Sequence, residues 1–147
     1  MWAARSRLLV AGLWAGSLWT IGYVVAPTLF LSLHDKAQAG AIVGFLLRSE
    51  AWLSMACALI LMILVRVSAL EQVRARTLSM LVVGMLACAL IIYLGAQPLM
   101  AHLREAAGAA GLQGTPEGRR FGILHGVSQL VYLAESVLAG VLLVKIR

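Results

Sequence analysis

Charge is what this chain has least of. Only 12% of its 147 residues are Asp, Glu, Lys or Arg, while 62% are hydrophobic. A soluble domain carries about 25% charged residues, so a water-facing globular fold is excluded. Cysteine is nearly absent, and Cys57 and Cys88 both fall inside apolar runs. They read as small packing thiols rather than as a disulfide or a CxxC metal site. No phosphate loop, HExxH pattern or nucleophile triad occurs, so no recognisable catalytic signature is present and the chain reads as a non-enzyme. The net charge of +6 does not mark a nucleic-acid partner. Its basic residues sit at the ends of apolar runs, with no basic stripe interleaved with aromatics.

What is present in quantity is uninterrupted apolar sequence. Four runs stand out, at about residues 8–30, 45–67, 78–99 and 121–144. Each holds about 20 residues or more, enough to cross a hydrocarbon core of roughly 30 Å. The expected fold is all-α, an integral membrane four-helix bundle forming one domain over 1–147 and surrounded by the lipid bilayer. The first run follows Arg5 and Arg7 as a signal peptide would. It exceeds the usual apolar core of about 7–15 residues, however, and Pro27 follows the cleavage region, so it reads as a retained span.

Basic residues orient the spans. Arg5, Arg7, Arg66, Arg74, Arg76, Lys145 and Arg147 share one side with a single acid, Glu71. On the other side Lys36, Arg48, Arg104, Arg119 and Arg120 are balanced by Asp35, Glu50, Glu105 and Glu117. The Lys/Arg excess marks the first side as cytoplasmic, with both termini inside a bacterial inner membrane. Asp35 reads as a helix N-cap. A helix from Lys36 to Val67 would be roughly 45 Å long, more than the bilayer needs. Residues 36–47 are therefore expected as a short outer helical segment, projecting beyond the surface or bending along it. Residues 101–118, rich in Ala and Gly, read as a mobile outer loop. Thr115, Pro116 and Glu117 read as N-cap, N1 proline and acidic first turn of the last helix.

That last run carries His125, Ser128, Gln129, Tyr132, Glu135 and Ser136 on one helical stripe. Leu124, Val127, Val131, Leu138 and Leu142 gather on another, the face expected to meet lipid. An ionisable group this deep costs roughly 2.5–3.5 kcal/mol on insertion scales, so Glu135 needs a partner or a proton. Counting inward from the basic anchors places Ser17, Cys57 and Cys88 near its depth. Ser17 is then the expected hydrogen-bond partner, and the carboxyl is expected to keep its proton near neutrality. The same count places His125 nearer the outer surface, with Glu50, Tyr93, Gln97 and Arg48. Such a cluster suits a ligand or ion site, or else a network that merely ties helices. Glu50, Ser54 and Cys57 share one face of the second helix.

His34, His102 and His125 all fall in the outer half. With nearby Met100 they raise a copper site, though no HxxH or MxxM spacing supports it. Haem would need a second axial ligand within the spans. Small residues recur four apart at Gly12/Gly16, Gly40/Gly44, Gly84/Cys88 and Gly122/Gly126, which suits close helix packing or, at Gly40/Gly44, a subunit contact. A faint internal echo links Ile21-Gly22-Tyr23 leading to Pro27 with Ile91-Ile92-Tyr93 leading to Pro98, as two repeated hairpins would. Trp2 and Trp52 read as interface anchors, and Trp14 and Trp19 as packing residues.

Gly12-Leu13-Trp14-Ala15-Gly16, Ala26-Pro27-Thr28-Leu29-Phe30, Ala39-Gly40 through Gly44-Phe45, and Phe121-Gly122-Ile123-Leu124-His125-Gly126 together resemble the transmembrane-protein-205-like family. Its bacterial members are the domain of unknown function 4149. The resemblance implies a small four-helix membrane bundle and supplies no mechanism. More distantly, the Trp-Ala-Gly and Pro-x-Leu-Phe elements are similar to copper-resistance D proteins and to small membrane protoporphyrinogen oxidases, although this chain lacks an array of intramembrane histidines.

The leading expectation is a membrane protein handling a small solute, proton or metal ion, with His125, Tyr132 and Glu135 as polar waypoints. The alternative is a structural or accessory protein whose polar stripe fixes packing or binds another membrane protein. A haem-linked oxidoreductase comes third. Four helices cannot enclose a wide pore alone, so transport would need a homo-oligomer or a narrow cleft.

Overall fold

The computed structural model describes residues 2–108 and 111–146. Arg147 and residues 109–110 of the expected loop lie outside them. Among the described residues four long helices form, each apolar enough to cross a membrane: α1 (Trp2–Ser32), α2 (Lys36–Val67), α3 (Gln72–Ala107) and α4 (Pro116–Lys145). Consecutive helices pack as neighbours, and α4 closes the ring against α1. This is an up-down-up-down bundle. Arg7 donates to Ser68, and Arg74 Nη2 lies 3.5 Å from the Lys145 carbonyl, which gathers the start of α1, the α2–α3 turn and the end of α4 at one end of the bundle. We refer to it as the termini end.

Two of the helices, α2 and α4, begin where a short polar side chain satisfies free backbone N–H groups. Asp35 Oδ1 accepts from Ala37 N at 2.8 Å and Gln38 N at 3.3 Å, and α2 then runs unbroken from Lys36 to Val67. Residues 36–47 are thus the first turns of α2, continuous with the rest of the helix. Thr115 Oγ1 accepts from Gly118 N at 3.0 Å, with Pro116 at the first helical position and Glu117 in the first turn. Thr115→Ala should lower stability by about 1 kcal/mol, checked by unfolding in mixed detergent micelles. The region expected as a loop from residue 101 is mostly helix, because α3 continues to Ala107. Its polar last turns carry no hydropathy signal, yet nothing in them breaks a helix until Gly108, whose φ is +52°.

The two helices with a proline in their interior, α1 and α3, change pitch at the same place. Wide π turns span Thr20–Val25 in α1 and Ile91–Ala96 in α3, and each is followed by an X-Pro pair, Ala26-Pro27 and Gln97-Pro98. Ala26 N donates to Ile21 O, and Gln97 N to Ile92 O, a spacing of five residues in place of four. Proline lacks an N–H, and its ring collides with the carbonyl four residues back. A widened turn moves that carbonyl aside.

Packing is uneven along the bundle. At the termini end Trp14, Leu61, Leu78, Met85 and Leu142 are all fully buried and close the interior. Leu142 therefore belongs to the core, not to a lipid face. On α4 the outward stripe is Ile123, Val127, Leu130, Leu133, Val137 and Val144, all more than half exposed. Leu138 instead turns toward α3, where its Cδ1 would lie 3.3 Å from a Cβ on Gly84. Gly40 and Gly44 also face their own bundle, since a Cβ on Gly40 would meet Arg104 and one on Gly44 would meet Gln97. Of the two readings of this pair, close packing within one bundle is the one these contacts support.

A candidate acid site between two repeated hairpins

The positions that face inward repeat between the two halves of the chain. Arg7, Ala11, Trp14 and Leu18 are buried on α1, and Leu78, Val82, Met85 and Ala89 are buried on α3 at the same spacing. Glu50, Ala51, Ser54 and Cys57 on α2 find their counterparts in Glu135, Ser136, Ala139 and Leu142 on α4. With the two prolines and π turns in register, Gly22 corresponds to Tyr93 and Ile21 to Ile92. The sequence echo thus exists with a shift of one residue from the expected pairing of Tyr23 with Tyr93.

Where the two halves meet, both equivalent acids line one cavity. Glu50 and Glu135 share it with Leu18, Ala89, Tyr93 and Tyr132. Glu135 is 2% exposed and Glu50 5%. The space amounts to about 20 Å³, enough for about one water molecule, which needs roughly 10–15 Å³.

The two carboxyls are held differently. Ser17 Oγ donates within 3.0 Å of Glu50 Oε1 and also lies 2.9 Å from the Trp14 carbonyl. A hydroxyl has one proton to give, so Ser17 can serve only one of these acceptors at a time. One turn nearer the termini end, Trp14 Nε1 donates to Ser54 Oγ at 2.8 Å. Glu135 Oε1, by contrast, is buried without a hydrogen-bond partner among the described residues. Ser17, the partner expected for Glu135, instead binds Glu50. The depth count failed because it treated the basic residues as level markers, and long basic side chains reach their level from varying heights.

Tyr132 forms the wall of the cavity toward the far end. Its hydroxyl donates to the Leu18 carbonyl at 2.6 Å, and its ring lies edge-on to Tyr23 at 6.2 Å. Tyr23 in turn donates to Ser136 Oγ at 2.9 Å. The ring also presses on Gly22, where a Cβ would sit 2.2 Å from Tyr132 Cε1. Gly22, Tyr23 and Ser54 are the site residues that the sequence alone did not single out for a role. The π turn that sets the first two against Tyr132 was signalled only by the proline behind it.

The outer cluster expected from depth counting does not form as one group. Glu50 sits with Glu135, whereas His125, Gln97 and Ser128 line a second cavity of about 230 Å³. Tyr132 lines both and is their common wall. Arg48 is exposed, and with Tyr93 and Gln97 it lines a groove of about 500 Å³ between α2 and α3. Trp52, itself largely exposed, meets the Tyr93 ring edge-on at 6.4 Å. His34 and His102 are exposed, and on α4 His125 and Gln129 are exposed as well, which departs from the wholly inward stripe expected there. Among the described residues no three His, Cys, Asp or Glu side chains converge to hold a metal ion, so the three histidines do not assemble the copper set.

Fold and cavity together define a multi-pass membrane four-helix bundle with two buried carboxyls at the meeting of its halves. The chain belongs to the family described as Domain of unknown function (DUF4149), which it matches over residues 9–109. No curated protein and no solved structure matches it. The matched stretch contains Glu50 and stops short of α4, which carries Tyr132 and Glu135.

Proposed function

We propose that this protein handles protons, alone or with a small polar solute, through a vestibule that ends at Glu50 and Glu135. The observation that carries this reading is the pair of carboxyls in one water-sized cavity, one of them with an unpartnered oxygen. An acid buried inside a membrane bundle without a fixed partner is suited to gaining and losing a proton. The way in is supported by the cavity series: the space around His125 adjoins the acid cavity at Tyr132. The way out is shut by the apolar packing at the termini end, so release on that side requires a second arrangement of the helices. The excess of basic residues at the termini end makes it the cytoplasmic side by the positive-inside rule, and the vestibule then opens outward.

The test uses protein reconstituted into liposomes with a trapped pH-sensitive dye. Wild-type vesicles should dissipate an imposed pH gradient faster than empty ones, and Glu50→Gln or Glu135→Gln should remove most of that excess. Equal rates in wild-type, variant and empty vesicles would refute the proposal. A second reading is favoured by the Trp14–Ser54 and Ser17–Glu50 bonds, which tie α1 to α2. In it the polar groups only fix helix packing within an accessory protein. That reading expects Glu50→Gln to change stability while leaving proton movement untouched.

A further inference from the structure

The far end of the bundle holds a cavity of about 580 Å³. Small-molecule sites occupy about 300–1,000 Å³. Lys36, Arg104 and His125 line it together with Phe30, Gly40 and Phe121, and no Asp or Glu is among its described lining residues. We infer that this cavity binds an amphiphilic anion, a phosphate or carboxylate head on an apolar body.

The cationic groups are positioned for that task. The Arg104 guanidinium lies 5.0 Å from the centroid of the Phe121 ring, and the His125 ring stacks on the same phenyl at 6.1 Å with 6° between planes. A flat cation held on an aromatic face keeps its in-plane N–H groups free for a two-pronged bond to an anion. Gly40 makes the placement fit, because a Cβ there would stand 3.2 Å from Arg104 Nη2 and 3.9 Å from Phe30 Cζ. Lys36 Nζ donates to the carbonyls of Phe30 and Leu33. An ammonium has three protons, so one donor remains. The acid next to Lys36 in sequence, Asp35, spends Oδ1 on capping α2. Phe30 and Phe121 supply apolar surface for the body of the ligand. The cavity shares Phe30 and His125 with the second cavity, yet touches neither Glu50 nor Glu135. The site therefore stands or falls apart from the proton reading.

The probe is octyl phosphate, titrated calorimetrically into the full-length protein in nanodiscs of a zwitterionic phospholipid. Saturable binding is expected, with inorganic phosphate binding more weakly because it lacks the apolar body. Arg104→Gln and Lys36→Gln should each weaken octyl phosphate binding at least about tenfold, as loss of a charge-assisted bond does, while Arg104→Lys should retain part of it. Lys36 is exposed, so that variant reports binding even if Arg104→Gln folds poorly. Repeating the titration in nanodiscs containing phosphatidylglycerol separates the sources. Suppression of octyl phosphate binding there identifies a lipid headgroup as the occupant, and undiminished binding identifies a soluble anion. Absence of binding in zwitterionic nanodiscs, or binding that Lys36→Gln and Arg104→Gln leave unchanged, would overturn the inference.

Discussion

Gly22→Ala should destabilise the protein by about 3 kcal/mol, measured by unfolding in mixed detergent micelles. Three contributions set the size. Forcing a methyl into a filled space costs about 1–3 kcal/mol, and here the added carbon would stand 2.2 Å from Tyr132 Cε1. The ring must leave, which strands its hydroxyl from the Leu18 carbonyl at about 1–3 kcal/mol for a buried polar group. Alanine returns about 1 kcal/mol through its better helix propensity. The collision has a single partner, so the effect must depend on Tyr132. In a Tyr132→Ala background, Gly22→Ala should be neutral or mildly stabilising. A double-mutant cycle that finds the two changes additive would show that the contact does not constrain α1 against α4.

Glu135→Met should leave the fold as stable as before or strengthen it by about 1–2 kcal/mol, while abolishing proton movement. The side chains are close in size, and volume-conserving changes are tolerated best in packed interiors. A buried oxygen without a partner costs about 1–3 kcal/mol, a penalty the thioether does not carry. Glu50 is a different case, because Ser17 bonds to it. Glu50→Met should cost about 1 kcal/mol for the hydrogen bond lost between Ser17 and the carboxyl, the hydroxyl keeping the Trp14 carbonyl as its acceptor. Parallel unfolding and liposome measurements on both variants check the contrast. A large loss of stability in Glu135→Met would mean that the carboxyl is a structural strut, and the proposed role would be lost with it.

The helices were legible because a bilayer demands long apolar runs, and the caps at Asp35 and Thr115 because few side chains can satisfy a helix start. The end of α3 was not. Its last turns, with His102, Arg104 and Glu105, look like a polar loop to hydropathy, although helix formation asks only that nothing break the backbone ladder. The inward polar positions Ser128, Tyr132, Glu135 and Ser136 followed from 3.6-residue periodicity on α4. Their partners did not, because partnership depends on tilt and on which neighbour a π turn brings close. Leu142 was misplaced for a related reason: leucine suits lipid and a protein interior equally well, so composition cannot tell the two apart. The repeat was nearly invisible because it conserves burial and not identity, with Trp14 standing where Met85 stands and Leu61 where Ile146 stands.

The two hairpins also differ in what surrounds their acids. Had the same cavity been assembled from two separate identical chains, both carboxyls would meet the same surroundings and neither could be favoured as the resting place of a proton. Within a single polypeptide that equivalence is lifted. One acid has a hydroxyl companion and the other has none among the described residues, so under the proposed function the pair would hold a steady member and a responsive one.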